Sequence, residues 1–184
     1  MFDERKVAQM AAYLLANGGG TMSHLKLIKL MYLADRESMA RYGMPISGDC
    51  PVAMPHGPVL SRTLDLMNGF VKSGPGGWES LISDKINHEL ALRRSIHTDE
   101  LDELSPADLE VLSTVWGQFG GLDQWQLVSY THAHCLEWRD PHGSSHPIPF
   151  SRIFTNLGRS EEEARELGAR IDSERSLGHI FASL

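Results

Sequence analysis

The sequence predicts a predominantly helical α+β domain, a compact helical bundle around one central apolar helix with a small antiparallel β-hairpin. Three observations lead to this prediction. Apolar residues recur at three- and four-residue spacing in several segments, which glycine- and proline-rich stretches separate. One of these segments, residues 23–42, is apolar around most of a helical circumference. By contrast, residues 86–93 alternate between apolar and polar side chains, which is typical of a strand with one buried face.

The first two predicted helices cover residues 3–17 and 23–42. In the first, apolar residues fall on one helical face, Asp3 can cap the start, and the glycines that follow Asn17 end the helix. In the second, two apolar stripes lie on different faces. Because a helix that is apolar on most of its surface belongs in the middle of a bundle, residues 23–42 form the predicted central helix.

The middle of the chain predicts a loop, two strands and a helix. Residues 43–49 are dense in Gly, Pro, Ser and Asp and predict a loop. Residues 51–54 predict a very short strand, and we expect it to pair with the alternating strand at residues 86–93. Pro58 suits the first turn of a helix, where no N–H donor is needed, so a helix is predicted from there to about Asn68.

The remainder predicts further helices at residues 105–119, 123–132 and 151–157, and a last helix that Ser160 caps. The apolar final residues, 179–184, are expected to pack on the core. We therefore divide the chain into a domain over residues 1–159 and a C-terminal helical extension, residues 160–184, packed on the same domain.

The composition indicates a cytoplasmic protein. A formal net charge of −7 is the wrong sign for a general nucleic-acid binder, so nucleic acid is not an expected partner. The start of the chain lacks the basic and apolar regions of a signal peptide, and no apolar run is long enough to span a membrane. Cys50 and Cys135 stand in unmatched contexts, which predicts free thiols in a reducing compartment.

The search for catalytic and metal-binding motifs predicts no enzyme, no metal and no cofactor. The densest histidine cluster includes His132 and His134, but residues two apart on a helix point to different faces. Neither a zinc-finger cysteine pair nor a His-Glu-x-x-His motif is present in the sequence. Cys135 is predicted to be an inert buried thiol, since free cysteines usually pack as small hydrophobic residues.

Asp35 is the most informative single position. It falls on an apolar stripe of the central helix, where an unpaired carboxylate is costly to bury. We interpret it as part of a structural polar motif with Asp49 and His132, in which Asp35 holds the following loop or an imidazole such as His132.

Several segments together resemble the Panacea domain, the SocA-like antitoxin family. They are residues 27–37 (LIKLMYLADRE), 42–49 (YGMPISGD), 53–59 (AMPHGPV), 131–132 (TH) and 137–138 (EW). Their order and spacing agree with the family over about residues 8–140. Residues 138–145 (WRDPHGSS) and the acid-capped last helix strengthen the resemblance to proteolytic adaptors within the family.

The resemblance implies an antitoxin whose partner is a cognate toxin protein. It further implies a proteolytic adaptor that delivers a SocB-like toxin, one that targets the replication sliding clamp, to the ClpXP protease. Exposed aromatic side chains and irregular loops are the expected contact regions, in residues 43–58 and 132–145 and at Trp78. The predicted partner-binding residues are Met54, His56, Trp125, His132, Trp138 and His142.

Two alternatives remain open from the sequence. The first is a small metal-dependent or thiol hydrolase that uses Asp35, His56 and His132. The second is a DNA-binding autorepressor, against which the acidic charge and the lack of a basic recognition helix count.

Overall fold

The computed structural model describes residues 2–182, with side chains as far as residue 176. Over that range the fold has eight α-helices and five short strands, and the predicted α+β, predominantly helical class is confirmed. The helices are α1 (Glu4–Asn17), α2 (His24–Tyr42), α3 (Ser61–Asn68), α4 (Trp78–Leu81), α5 (Pro106–Phe119), α6 (Gln124–His134), α7 (Phe150–Asn156) and α8 (Glu161–Ala182). The strands are β1 (Thr21–Ser23), β2 (Pro51–Met54), β3 (Gly57–Leu60), β4 (Glu89–Ala91) and β5 (His146–Pro147).

Helix α2 is the centre of the bundle, as predicted. It contacts α1, α5, α6 and strand β3. Ser23 caps its N-terminus by accepting the Lys26 N–H, and Gly43 ends it with a left-handed backbone. Nine consecutive residues, 27–35, are buried along it, including the polar side chains of Lys29 and Asp35. A helix covered on all sides is the expected result of an apolar circumference.

The strands form two small antiparallel sheets, and the predicted pairing of residues 86–93 with residues 51–54 is wrong. Strand β4 pairs with β1, with Met22 opposite Leu90. The reason is that both edges of β2 are already occupied, by β3 on one side and β5 on the other. Strands β2 and β3 form a small antiparallel hairpin, the kind of element that the fold class predicts. The second strand of this hairpin, β3, covers residues that the sequence predicts as the start of a helix.

The predicted first residue of the following helix, Pro58, is therefore also wrong. Pro58 lies in strand β3, and α3 begins at Ser61. The chain reverses through Pro55 and His56, which lie between the paired residues Met54 and Gly57. Gly57 has φ +95°, a conformation that favours glycine. Because β3 is an edge strand, the missing N–H of Pro58 costs no ladder hydrogen bond.

Helices α7 and α8 pack against each other and form a second apolar cluster with the end of α2 and β2. This cluster comprises Met39, Ala53, Ile148, Phe150, Ile153, Phe154, Ala164 and Ile171. The division into residues 1–159 and 160–184 stays a prediction, and the expected packing of residues 179–184 lies outside the described side chains. No helix in the described range combines the length and the apolar character that crossing a membrane requires.

Candidate partner-binding site

Two buried acids are joined through one serine in the loop after α2. Asp35 accepts a hydrogen bond from the Ser47 N–H at 2.9 Å and a second from the Ser47 hydroxyl. That hydroxyl accepts the Asp49 N–H at 3.0 Å. Burial raises the pKa of Asp35 to about 7, and the hydrogen bonds from Ser47 act in the opposite direction. This acid-and-serine cluster, Asp35, Ser47 and Asp49, fixes the loop to the central helix.

Asp49 also caps helix α3, whose own N-cap position is Leu60 and offers no side-chain cap. One carboxylate oxygen of Asp49 accepts the Cys50 and Arg62 N–H groups at 2.6 and 3.1 Å. The other accepts the Thr63 N–H at 2.8 Å and its hydroxyl at 2.7 Å. A carboxylate at these first-turn donors satisfies groups that have no partner inside the helix.

A second buried acid, Glu137, ties the chain after α6 to the central helix. One of its carboxylate oxygens accepts the Tyr32 hydroxyl and the Arg36 Nε–H, each at 2.7 Å. The Glu137 side chain is fully buried, while that of Arg36 is partly exposed. Charge-assisted hydrogen bonds of this kind hold residues 135–138 in a fixed position beside α6.

Lys29 lies at a third buried position on α2, under the turn between β2 and β3. Its ammonium donates to the Pro58 carbonyl at 2.7 Å. The α-carbon of Gly57 is so tightly covered that a Cβ there would lie 2.7 Å from Thr131 Oγ1, 3.0 Å from Lys29 Nζ and 3.3 Å from His132 Cδ2. Lys29, Thr131 and His132 therefore converge on the backbone of the turn, and only glycine fits between them.

Exposed and half-buried residues of the hairpin, of α6 and of the chain after α6 form a surface that we call the hairpin–α6 face, comprising Met54, His56, Trp125, His132, Leu136 and Trp138. The indole of Trp138 stacks on the His132 ring, with centroids 3.9 Å apart and planes 8° apart. Its Nε1–H donates to the Met54 carbonyl at 2.9 Å. The His56 ring meets Trp125 edge to face at 5.6 Å. These contacts connect the hairpin turn, α6 and the chain that follows α6.

Two large apolar side chains of this face are open to solvent. Trp125 is 55 % exposed and Leu136 is 67 % exposed. Of the other predicted contact residues, His142 is highly exposed but contacts Asp140 and not the hairpin. Trp78 is buried in the main core, 2 % exposed, which is the commoner fate of a tryptophan and rules out the alternative role in partner contact.

The predicted polar motif of Asp35, Asp49 and His132 is brought together only in part. Asp35 and Asp49 meet through Ser47. His132 instead belongs to the cluster under the hairpin turn, where its ring stacks on Trp138. The loop, rather than an imidazole, is the partner that Asp35 holds.

The same placement counts against the hydrolase alternative. Asp35, His56 and His132 each have other partners, and no contact in the described residues joins the three. Burial raises the pKa of the Cys135 thiol to about 12, which keeps it protonated and unreactive. Because α6 continues to His134, His132 and His134 point to different faces, and His134 stacks on Tyr130 at 4.3 Å. The described residues contain no group of three or more metal-ligating side chains arranged to hold an ion.

Sequence reasoning missed Lys29, Arg36 and Glu137. Lys29 could have been found by the argument that singled out Asp35, because it is also a charged residue on the apolar central helix. Glu137 offers no such signal, since it follows α6 in an irregular segment and its burial depends on Tyr32 and Arg36 from another element.

The structure brings together most of the segments that carry the family resemblance. Residues of α2, the Gly57–Pro58 step, Thr131–His132 and Glu137–Trp138 contact one another in the clusters described above. A comparison with protein families finds a match to the antitoxin SocA-like, Panacea domain over residues 27–139. Comparisons with curated proteins and with solved structures give no match. The family match spans more than half of the chain, and the protein belongs to the SocA-like Panacea antitoxin family.

Proposed function

We propose that this chain neutralises a cognate toxin by binding it at the hairpin–α6 face and that it then delivers the toxin to the ClpXP protease. Family membership supports the antitoxin role. The choice of surface rests on one observation above the others, the exposure of Trp125 on a rigid element. Partly exposed tryptophans are enriched among the residues that carry most of the energy of protein–protein binding.

The backbone that carries Trp125 is fixed by a helix cap. It lies in the first turn of α6, where the Asp123 side chain accepts the N–H groups of Trp125 and Gln126 at 2.7 and 2.9 Å. Gln126 in turn accepts the Asp123 N–H, which completes a capping box. An aromatic residue on a fixed backbone loses less conformational entropy on binding than one on a mobile loop, and this favours Trp125 as an anchor.

The adaptor part of the proposal has a different basis. It rests on the resemblance of residues 138–145 and of the last helix to proteolytic adaptors of the family. An adaptor has to hold a toxin and a protease at once, so the surface for ClpXP must lie apart from the toxin-binding face.

The test is co-expression with the product of the neighbouring gene. We expect that gene to stop growth alone and this chain to restore growth. In cells lacking ClpX, adaptor action predicts that the rescue is lost, whereas neutralisation by occlusion predicts that it persists. A neighbouring product that is harmless alone, or toxic and not rescued, would contradict the antitoxin proposal for this pair.

The surface is tested by Trp125→Ala, with Phe70→Ala as the matched control. Phe70 is 78 % exposed at the end of α3 and is not part of the hairpin–α6 face. Loss of a central aromatic anchor typically costs about 2 kcal/mol or more, so the Kd for the toxin should rise about 30-fold or more in calorimetry. Both variants should unfold like the wild type. Equal Kd values for Trp125→Ala and the wild type would reject this face.

A further inference from the structure

Lys29 and His132 are two bases that lie against the same turn. Lys29 is fully buried on the central helix, and the buried Nε2 atom of His132 has no hydrogen-bond partner among the described residues. Both side chains reach the α-carbon of Gly57, as the short distances from a Cβ built there show. Buried groups that carry charge normally have an ionic or hydrogen-bonding partner for each polar atom. This pair departs from that rule.

Among the described residues, no buried acid near the pair is free to compensate its charge, because Glu137 is bound by other groups and the Asp140 side chain is mostly exposed. Helix α2 contributes Tyr32 and Arg36, both of which bind Glu137. The end of α6 contributes Cys135, whose thiol stays protonated. The groups that act on His132 from other elements are His56 of the turn, which opposes its protonation, and Asp140, which favours it. Among the described residues, the Pro58 carbonyl is the only hydrogen-bond acceptor of the Lys29 ammonium.

We propose that Lys29 and His132 form an acid-sensitive switch under the β2–β3 turn. The turn stays closed while at least one of the two bases is neutral. When both are protonated, two positive charges lie against the same turn, where the Pro58 carbonyl is the acceptor of Lys29, and their repulsion displaces the turn. The moving part is the segment from Met54 to Gly57, because it covers both bases.

The direction of the pH effect follows from burial. Burial lowers the pKa of Lys29 to about 7. Burial, together with Lys29 and His56, also lowers the pKa of His132 below its ordinary 6.5. At pH 7.5 the pair therefore carries one proton at most on most molecules. As the pH falls through 7 and then below 6.5, both bases become charged, and the turn opens at the acid end of this range.

The switch is coupled to the proposed toxin-binding face by direct contacts. His132 stacks on Trp138, Trp138 donates to the Met54 carbonyl, and His56 of the turn packs on Trp125. Opening of the turn would separate these residues. The consequence for toxin release rests on the proposed function, whereas the switch itself is a property of this chain alone.

The experiment is residue-resolved amide hydrogen exchange of the isolated full chain at pH 7.5 and 5.0, with rates corrected for intrinsic exchange. We expect protection at the Gly57 and Met54 amides to fall about tenfold or more at pH 5.0, since one pKa unit corresponds to a factor of ten. Protection in α5, for example at Leu112, should change much less. His132→Gln should abolish the drop at the turn, and the control His134→Gln should keep it.

A second variant tests the partner base and guards against misfolding of the first. In Lys29→Met, the pKa of His132 measured by NMR should rise, and the drop in protection should be lost. Equal protection at the two pH values in the wild type would overturn the switch. A drop that persists in both Lys29→Met and His132→Gln would overturn it as well. Since no toxin is present in this experiment, its outcome tests the switch independently of the proposed toxin binding.

Discussion

The acid-and-serine cluster and the Lys29–His132 pair both contain a buried charged residue of α2, but the two residues differ in their number of hydrogen-bond partners. Asp35 and Lys29 both lie on α2, both are buried, and burial brings the pKa of each to about 7, the acid from below and the base from above. Asp35 is surrounded by donors from the loop. In the part of the chain that the structure describes, Lys29 has a single carbonyl as acceptor and the neighbouring His132 Nε2 has no hydrogen-bond partner.

The difference shows that burial alone does not decide what a charged residue does. Burial disfavours the charged form of either group. The number of hydrogen bonds then decides whether the surrounding segment stays in place or moves when the protonation state changes. Asp35 and Asp49 belong to the first kind and order a loop and a helix end, whereas Lys29 and His132 belong to the second.

The largest expected effect is at Asp49. In Asp49→Ala, four donors of the loop and of α3 lose their acceptor, three of them backbone N–H groups. Because each buried unsatisfied donor costs about 1–3 kcal/mol and the losses overlap, we expect unfolding free energy to fall by about 3–5 kcal/mol. Urea unfolding measures this. Asp65→Ala on the same helix is the control, and an equal loss in both variants would contradict the capping role of Asp49.

A smaller effect is expected at Asp35, and it depends on pH. The native pKa is raised from 3.8 to about 7, so the native state binds more protons than the unfolded state between these values. The contribution of Asp35 is thus fully present below pH 4 and is lost as the pH rises through 7. Between pH 4.5 and 7.5 this decline in the wild type should amount to about 1–3 kcal/mol of unfolding free energy, and Asp35→Asn should remove it. Parallel curves for wild type and variant in urea unfolding would refute it.

The smallest net effect at neutral pH is expected for Lys29→Met. The variant loses the bond to Pro58 but no longer buries an ammonium, so unfolding free energy at pH 7 should stay within about 1 kcal/mol of the wild type. In the wild type the native pKa of about 7 lies below the unfolded value, so stability should rise with pH between 7 and 10. The variant should lack that rise in urea unfolding. A loss of unfolding free energy as large as that of Asp49→Ala would contradict this prediction and would show that Lys29 stabilises the fold as Asp49 does.

Much of the helical part of the fold could be predicted because its signals are local. The stripes and caps of α1, α2 and α5 lie within each segment, and these helices begin and end close to the expected residues. The strands could not be predicted in the same way. Pro58 suits a helix start and an edge strand equally well, and only the reversal at Pro55 and His56 and the tight cover of Gly57 decide between them.

The candidate site shows the same division. Asp35 could be predicted as a special position because a charged residue on an apolar stripe is visible in the sequence. Its hydrogen-bond partner, Ser47, could not be predicted in this way. The contact between Lys29 and the turn joins residues far apart in the chain, as does the stacking of His132 on Trp138 under Met54. Such contacts depend on the packing of α6 and β3 against α2, which no short segment encodes.

The three-stranded sheet carries proline in both of its outer strands, Pro58 in β3 and Pro147 in β5. Proline has no N–H to offer to an incoming strand, and both outer strands are short. The sheet is therefore a poor template for another extended chain, whether a second copy of this protein or a segment of a toxin. At these edges the sheet therefore favours contacts through side chains over main-chain pairing, which disfavours edge-to-edge association of two copies through this sheet.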